Sequence, residues 1–173
     1  MKRIILSVTI VLFSLTFAGA QKAIDFYKSG VQKTNSRDFE GAKNDFQKAI
    51  ELDPNYAFAH NNLALLLIKN FGDKEGAKFH YEKAIELDPK NANTHFNYAF
   101  LLRDYFNDRK GARAEFEKAL VINPYFAEGQ FNYALILKDA GEKDAAKKHY
   151  ISATKLNPKL VNANLDMEFD IIR

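Results

Sequence analysis

Apolar residues recur along most of the chain at intervals of three and four, the spacing of a helix with one buried stripe. Over residues 77–87 the stripe is Ala77, Tyr81, Ala84 and Leu87, and over 57–68 it runs through Leu63, Ala64, Leu67 and Ile68. Short polar stretches interrupt the pattern: Asn35-Ser36-Arg37-Asp38, Gly72-Asp73-Lys74-Glu75, Asn107-Asp108-Arg109-Lys110 and Gly141-Glu142-Lys143-Asp144. Pairs of amphipathic helices joined by tight turns are predicted. Asp73 and Asp108 stand where a carboxylate accepts from the free amides of a helix's first turn, so both are predicted N-caps.

The helix pairs are copies of one another. Pro54, Pro89, Pro124 and Pro158 are the chain's four prolines, at intervals of 35, 35 and 34 residues. Each has an alanine twelve residues before it (Ala42, Ala77, Ala112, Ala146) and an aromatic eight before (Phe46, Tyr81, Phe116, Tyr150). Five before each is a second alanine: Ala49, Ala84, Ala119 or Ala153. A period of this length means small units that share a continuous core by stacking. The proline closes each second helix, because the residue before a proline is driven out of the α conformation. The alanines beside the aromatics let two helices approach to roughly 8–10 Å.

This register resembles the tetratricopeptide repeat family, whose pattern is a small residue in the first helix, then alanine, aromatic, alanine and proline. The small residue here is Gly30, Ala64, Ala99 or Ala134, and the match spans nearly all of residues 23–160. The resemblance implies an all-α fold, a right-handed superhelical solenoid of antiparallel helix pairs. Its units are expected at 21–56, 57–91, 92–126 and 127–159. Residues 160–173 are expected to form a C-terminal capping helix with its apolar stripe at Val161, Leu165, Phe169 and Ile172. Two departures stand out. The family's aromatic early in the first helix is Phe26 in the first unit but His60, His95 and Gln130 in the others, and the middle units carry one extra residue in the helix–helix turn.

In the resembling family the first helices line a concave groove. Carried over, that places Tyr27, Phe58, Asn61, Asn62, Phe96, Asn97, Phe100, Arg103, Phe131, Asn132 and Lys138 among the groove residues. Asn62, Asn97 and Asn132 share one offset, and an amide both donates and accepts, so such a ladder suits the backbone of an extended peptide. Family asparagines at this offset also serve as links between helices. Tyr27, Phe96 and Phe131 share another offset and are candidate side-chain pockets. Phe58, Asn93 and Glu128 stand where a lysine-based carboxylate clamp would need cations. The expected partner is therefore a protein segment, uncharged or of mixed charge, with apolar side chains.

Met1-Lys2-Arg3, the apolar residues 4–17 and Ala18-Gly19-Ala20 have the three parts of a secretory signal peptide at residues 1–20. The apolar run is short of the roughly 20 residues that span a bilayer. Removal of Lys2 and Arg3 would leave 23 basic against 22 acidic residues. No basic field remains to drive nucleic-acid binding, which depends on neutralising phosphates. The absence of cysteine rules out a disulfide framework and a lipid-anchored lipoprotein.

No catalytic or cofactor motif emerges. His60 and His95 occupy equivalent places in neighbouring units, as His80 and His149 do two units apart, and such spacings are too wide for one metal ion. Ser29, Ser36 and Ser152 lie in no nucleophile elbow, and the eight glycines form no phosphate loop. The sequence reads as an exported, periplasmic or secreted scaffold without enzymatic activity or cofactor, binding protein partners in its groove. Self-association as a structural component and binding of cell-wall glycan are the alternatives.

Overall fold

The computed structural model describes residues 2–171, with side chains from residue 19 onward. All regular structure among them is helical, and the chain divides into two compact units after Pro89. The first contains α1 (Lys2–Asn35), α2 (Phe39–Leu52), α3 (Ala57–Leu66) and α4 (Lys74–Leu87), with a π-helical turn Leu67–Phe71 extending α3. The second contains α5 (Ala92–Tyr105), α6 (Arg109–Ile122), α7 (Ala127–Asp139), α8 (Lys143–Leu156), a 3₁₀ turn Pro158–Leu160 and α9 (Ala163–Glu168). Consecutive helices pack as hairpins, α1 with α2 and α3 with α4, then α5 with α6 and α7 with α8. The expected all-α arrangement of helix pairs is the one observed. The boundary expected after Ala20 falls inside α1, and no helix among the described residues is long and apolar enough to cross a membrane.

The repeat marks are the core. Ala42, Ala77, Ala112 and Ala146 are fully buried, and Phe46, Tyr81, Phe116 and Tyr150 are at most 2% exposed. In the first repeat the aromatic packs directly on the small residue of the first helix. A Cβ on Gly30 would lie 2.7 Å from the Phe46 ring, so only glycine fits without moving the aromatic. Asp53, Asp88, Asn123 and Asn157 close the second helices in extended conformations, each directly before its proline.

The turns show where the extra residue goes. In the first and fourth repeats the amide of the next helix's N-cap returns five residues, Asp38 to Lys33 and Glu142 to Leu137, at 2.9 Å in both. In the second and third it returns six, Asp73 to Leu67 at 3.2 Å and Asp108 to Leu102 at 2.8 Å. The insertion therefore widens the end of the first helix and leaves the rest of the hairpin in register. The residue just before each N-cap has positive φ: Arg37 (65°), Gly72 (67°), Asn107 (53°) and Gly141 (80°). Glycine and asparagine tolerate that conformation, whereas Arg37 is strained there. Asp73 and Asp108 cap α4 and α6 as expected, and Asp38 does the same for α2.

The C-terminal cap is shorter than its sequence suggested. α9 has six residues and buries Leu165 and Phe169, the latter with its ring 5.6 Å from that of Tyr150. The Tyr150 hydroxyl donates to Asp166 at 2.8 Å. Val161 is 42% exposed rather than part of the buried stripe, because the 3₁₀ turn before it breaks the helical register. Ile172 lies outside the described residues.

Candidate functional site

In the first unit the first-helix residues enclose a pocket of about 280 Å³. Val31, Phe46, Leu65 and Leu66 give it apolar walls, and the amides of Asn35, Asn62 and Asn70 stand around them. Lys69 and Asn70 reach the rim from the π-helical turn, so the residue inserted into this repeat helps to shape the pocket. Asn62 donates to the Tyr27 hydroxyl at 2.9 Å, tying α3 to α1, and its carbonyl accepts from Asn61 at 3.2 Å. An amide has two N–H groups and two carbonyl lone pairs, so each end of Asn62 keeps capacity for a ligand. Tyr27 is packed 5.0 Å from the Tyr56 ring and 6.0 Å from Phe46. Phe58 is 51% exposed and meets Tyr56 edge-on at 6.4 Å.

The corresponding residues of the second unit are knitted together instead. The Phe96 ring lies 4.5 Å from Phe126, 4.9 Å from Phe100 and 5.7 Å from Phe116. Phe131 is likewise set against Tyr150 at 6.1 Å. Arg103 lies 4.5 Å over the Phe100 ring, donates twice to Asp104 (2.6 and 3.1 Å) and once to Asn132 (3.3 Å). Asn132 donates to the Glu128 carbonyl at 2.8 Å. Lys138 pairs with Glu168 at 3.2 Å. Asn97 is half-buried. Tyr27, Phe96 and Phe131, the aromatics at the shared offset, are each partly exposed and each in contact with another ring of the protein.

A second set of residues escaped the sequence reading. At one position of every second helix a polar side chain meets polar partners on the first helix, which stand at one shared position in the last three repeats and at others in the first. In the first repeat the Asp45 carboxylate accepts from Ser29 (2.6 Å) and Lys33 (2.7 Å). In the second, His60 and His80 face each other with Nδ1 atoms 2.9 Å apart. In the third, His95 Nδ1 meets Glu115 at 2.6 Å, and Lys118 donates to the same carboxylate at 2.7 Å. In the fourth, His149 Nδ1 donates to the Gln130 carbonyl oxygen at 2.6 Å. His60 Nε2 and Gln130 Nε2 donate to the carbonyls of Pro54 (3.2 Å) and Pro124 (2.9 Å). With its proton on Nε2, His60 accepts at Nδ1 from His80, and the pair is neutral.

The electrostatics follow the partners. Burial, aided by the neighbouring His60, pushes His80 down to about 4. Burial also lowers His60 and His149. For Glu115 burial opposes the charge, but the bonds from His95 and Lys118 outweigh it and hold the carboxyl below its ordinary value. Asp45 behaves alike, through Lys33 and Ser29. No buried side-chain nitrogen or oxygen among the described residues lacks a partner. These pairs are structural rungs, and among the described residues no group of three histidines or carboxylates is placed to hold a metal ion. Their signal lay in the departures from the family pattern at His60, His95 and Gln130, read along the repeats and not across each hairpin.

Comparison with known proteins agrees with this architecture. Models of the tetratricopeptide repeat match residues 33–56, 45–79, 80–111 and 127–160, together more than half of the chain. No curated protein matches. Among solved structures, PilF of Pseudomonas aeruginosa is similar at a TM-score of 0.75, with 22% identity over 89% of this chain and 69% of that one. MamA gives 0.69, with 20% identity over 80% of this chain and 74% of its own. YrrB, described as a TPR protein with an unusual peptide-binding site, also gives 0.69, with 22% identity over 79% of this chain and 69% of its own. At these identities the likeness is one of fold. Matched repeat by repeat, with the marks of each repeat buried in its hairpin, the chain belongs to the tetratricopeptide repeat family.

Proposed function

We propose that the chain is an exported, non-enzymatic scaffold that binds a protein segment on its first-helix face, with the pocket of the first unit as the anchor. The observation that carries this reading is the pocket's composition: an apolar floor from Val31, Leu65 and Leu66, ringed by Asn35, Asn62 and Asn70. One apolar side chain of an extended segment fills the floor, and the amides satisfy the backbone on either side of it. Lys69 at the rim accommodates a carboxylate, so the preferred segment is uncharged or of mixed charge. The peptide-binding site named for YrrB lends support by fold, and residues 1–20 support export.

In-cell photo-crosslinking tests the proposal, with the photoreactive residue at Leu65 and, as a control, at exposed Gln47 on α2. A discrete heavier product from Leu65 alone, of a mass other than a dimer, is expected, and mass spectrometry then identifies the partner. Equal products from both sites, or none from Leu65, would defeat the reading. A product of twice the chain's mass would support self-association in its place.

A further inference from the structure

The last second helix differs from its three counterparts in charge. α8 and the turn after it carry Lys143, Lys147, Lys148, Lys155 and Lys159 against a single Asp144. Where α8 has Ile151 and Lys155, α2 has Gln47 and Glu51, α4 has Glu82 and Glu86, and α6 has Glu117 and Val121. Those glutamates do work that α8 lacks. Lys83 pairs with Glu86 at 2.8 Å and Arg113 with Glu117 at 3.1 Å, while none of the five α8 lysines makes an ion pair among the described residues. Lys147, Lys148 and Lys155, together with Asp144, Ile151 and Ser152, line a shallow hollow of about 450 Å³. It lies on the face opposite the buried Ala146, Tyr150 and Ala153.

The kind of cation is informative. Arg103, Arg109 and Arg113 of the second unit are all committed to carboxylates of the protein itself. The cations of this face are all lysines, compact point charges that lack the planar fork with which arginine fixes a particular carboxylate. Exposed apolar side chains follow on the same terminal segment: Leu156 is 40% exposed, Val161 42% and Met167 71%. Lysines without arginine suit a diffuse negative surface rather than one fixed carboxylate.

We propose that the outer face of α8 docks peripherally on an anionic lipid bilayer, through Lys147, Lys148 and Lys155 at the headgroups. The contact is electrostatic first, so it weakens with salt and needs no span of the membrane.

Vesicle flotation of the full chain tests this, with phosphatidylcholine vesicles holding about 30% phosphatidylglycerol compared with phosphatidylcholine alone. The variant Lys148→Glu/Lys155→Glu is compared with Lys22→Glu/Lys110→Glu, equal in total charge and also at exposed positions. The apolar residues 4–17 are common to all three chains and cancel in the comparison. Expected are preferential binding to the anionic vesicles, a loss of at least tenfold in the α8 variant and little change in the control. Far-UV circular dichroism and thermal melts establish that both variants are folded; should the double reversal unfold, Lys148→Gln/Lys155→Gln replaces it. Equal binding to both vesicle types, or equal loss in both variants, would overturn the proposal. So would binding to a polyglutamate peptide without binding to the anionic vesicles, which would assign the face to an acidic polypeptide.

Discussion

His60 in the second repeat and His95 in the third occupy the same position, and each meets the same position of its partner helix, yet one finds His80 and the other Glu115. The backbone frame decides where a polar pair sits; the partner decides how it responds to acid. His80 stays neutral in the folded state down to about pH 4, whereas an unfolded histidine takes up a proton near 6.5. The stability tied to the histidine pair is therefore complete above about pH 6.5 and lost as the pH falls toward 4. Glu115 has a lowered pKa, so its contribution is present above the ordinary carboxylate value and disappears only below it. Between about pH 6.5 and 4.5 the second repeat weakens while the carboxylate of the third holds.

The largest effect should come from breaking the charged rung. Glu115→Ala leaves His95 buried without its acceptor and is expected to cost about 3–5 kcal/mol in urea denaturation at pH 7. A loss below about 1 kcal/mol would mean that the rung is replaceable by water. Close behind, Gly30→Ala presses a methyl group on the Phe46 ring and should cost about 1–3 kcal/mol, an effect absent where Ala64, Ala99 and Ala134 already stand.

The acid response comes next. Hydrogen exchange should show the first unit losing about 2 kcal/mol of protection from pH 7 to 4.5, a figure reduced for the partial exposure of His80. In His80→Glu, which copies the third repeat's rung into the second, that loss should shrink by at least half. Equal acid loss in the parent and the variant would detach the effect from this pair. The smallest change is a gain: Arg37→Gly relieves the positive φ shared with Gly72 and Gly141, and should raise stability by about 1 kcal/mol in a thermal melt.

Much of the fold was legible because it rests on periodic, local signals. The prolines, the alanine–aromatic–alanine stripes and the capping aspartates all sit where one sequence period places them. The rungs were not legible. His60 and His80 are twenty residues apart on opposite helices, and aligning the repeats sets His60 beside His95 instead of its true neighbour. The contacts that the first-helix residues make were not legible either. Nothing in the spacing of Phe96 or Arg103 announces that one packs against Phe126 and the other is bound to Asp104 and Asn132. An inserted residue in the second repeat was visible as a count; that it becomes a π-helical turn bearing Lys69 and Asn70 is a backbone result. The basic face of α8 is averaged into a net charge of only +3 for the chain as a whole.

Selection of peptides from a random display library against the purified protein tests the central claim most directly, each selected peptide being re-measured on Leu65→Glu and on Gln47→Glu. The expected result is a set of peptides sharing an apolar anchor, with affinity reduced at least tenfold by Leu65→Glu and unchanged by Gln47→Glu. Peptides insensitive to Leu65→Glu, or no selected peptides at all, would contradict a ligand-binding first-helix face.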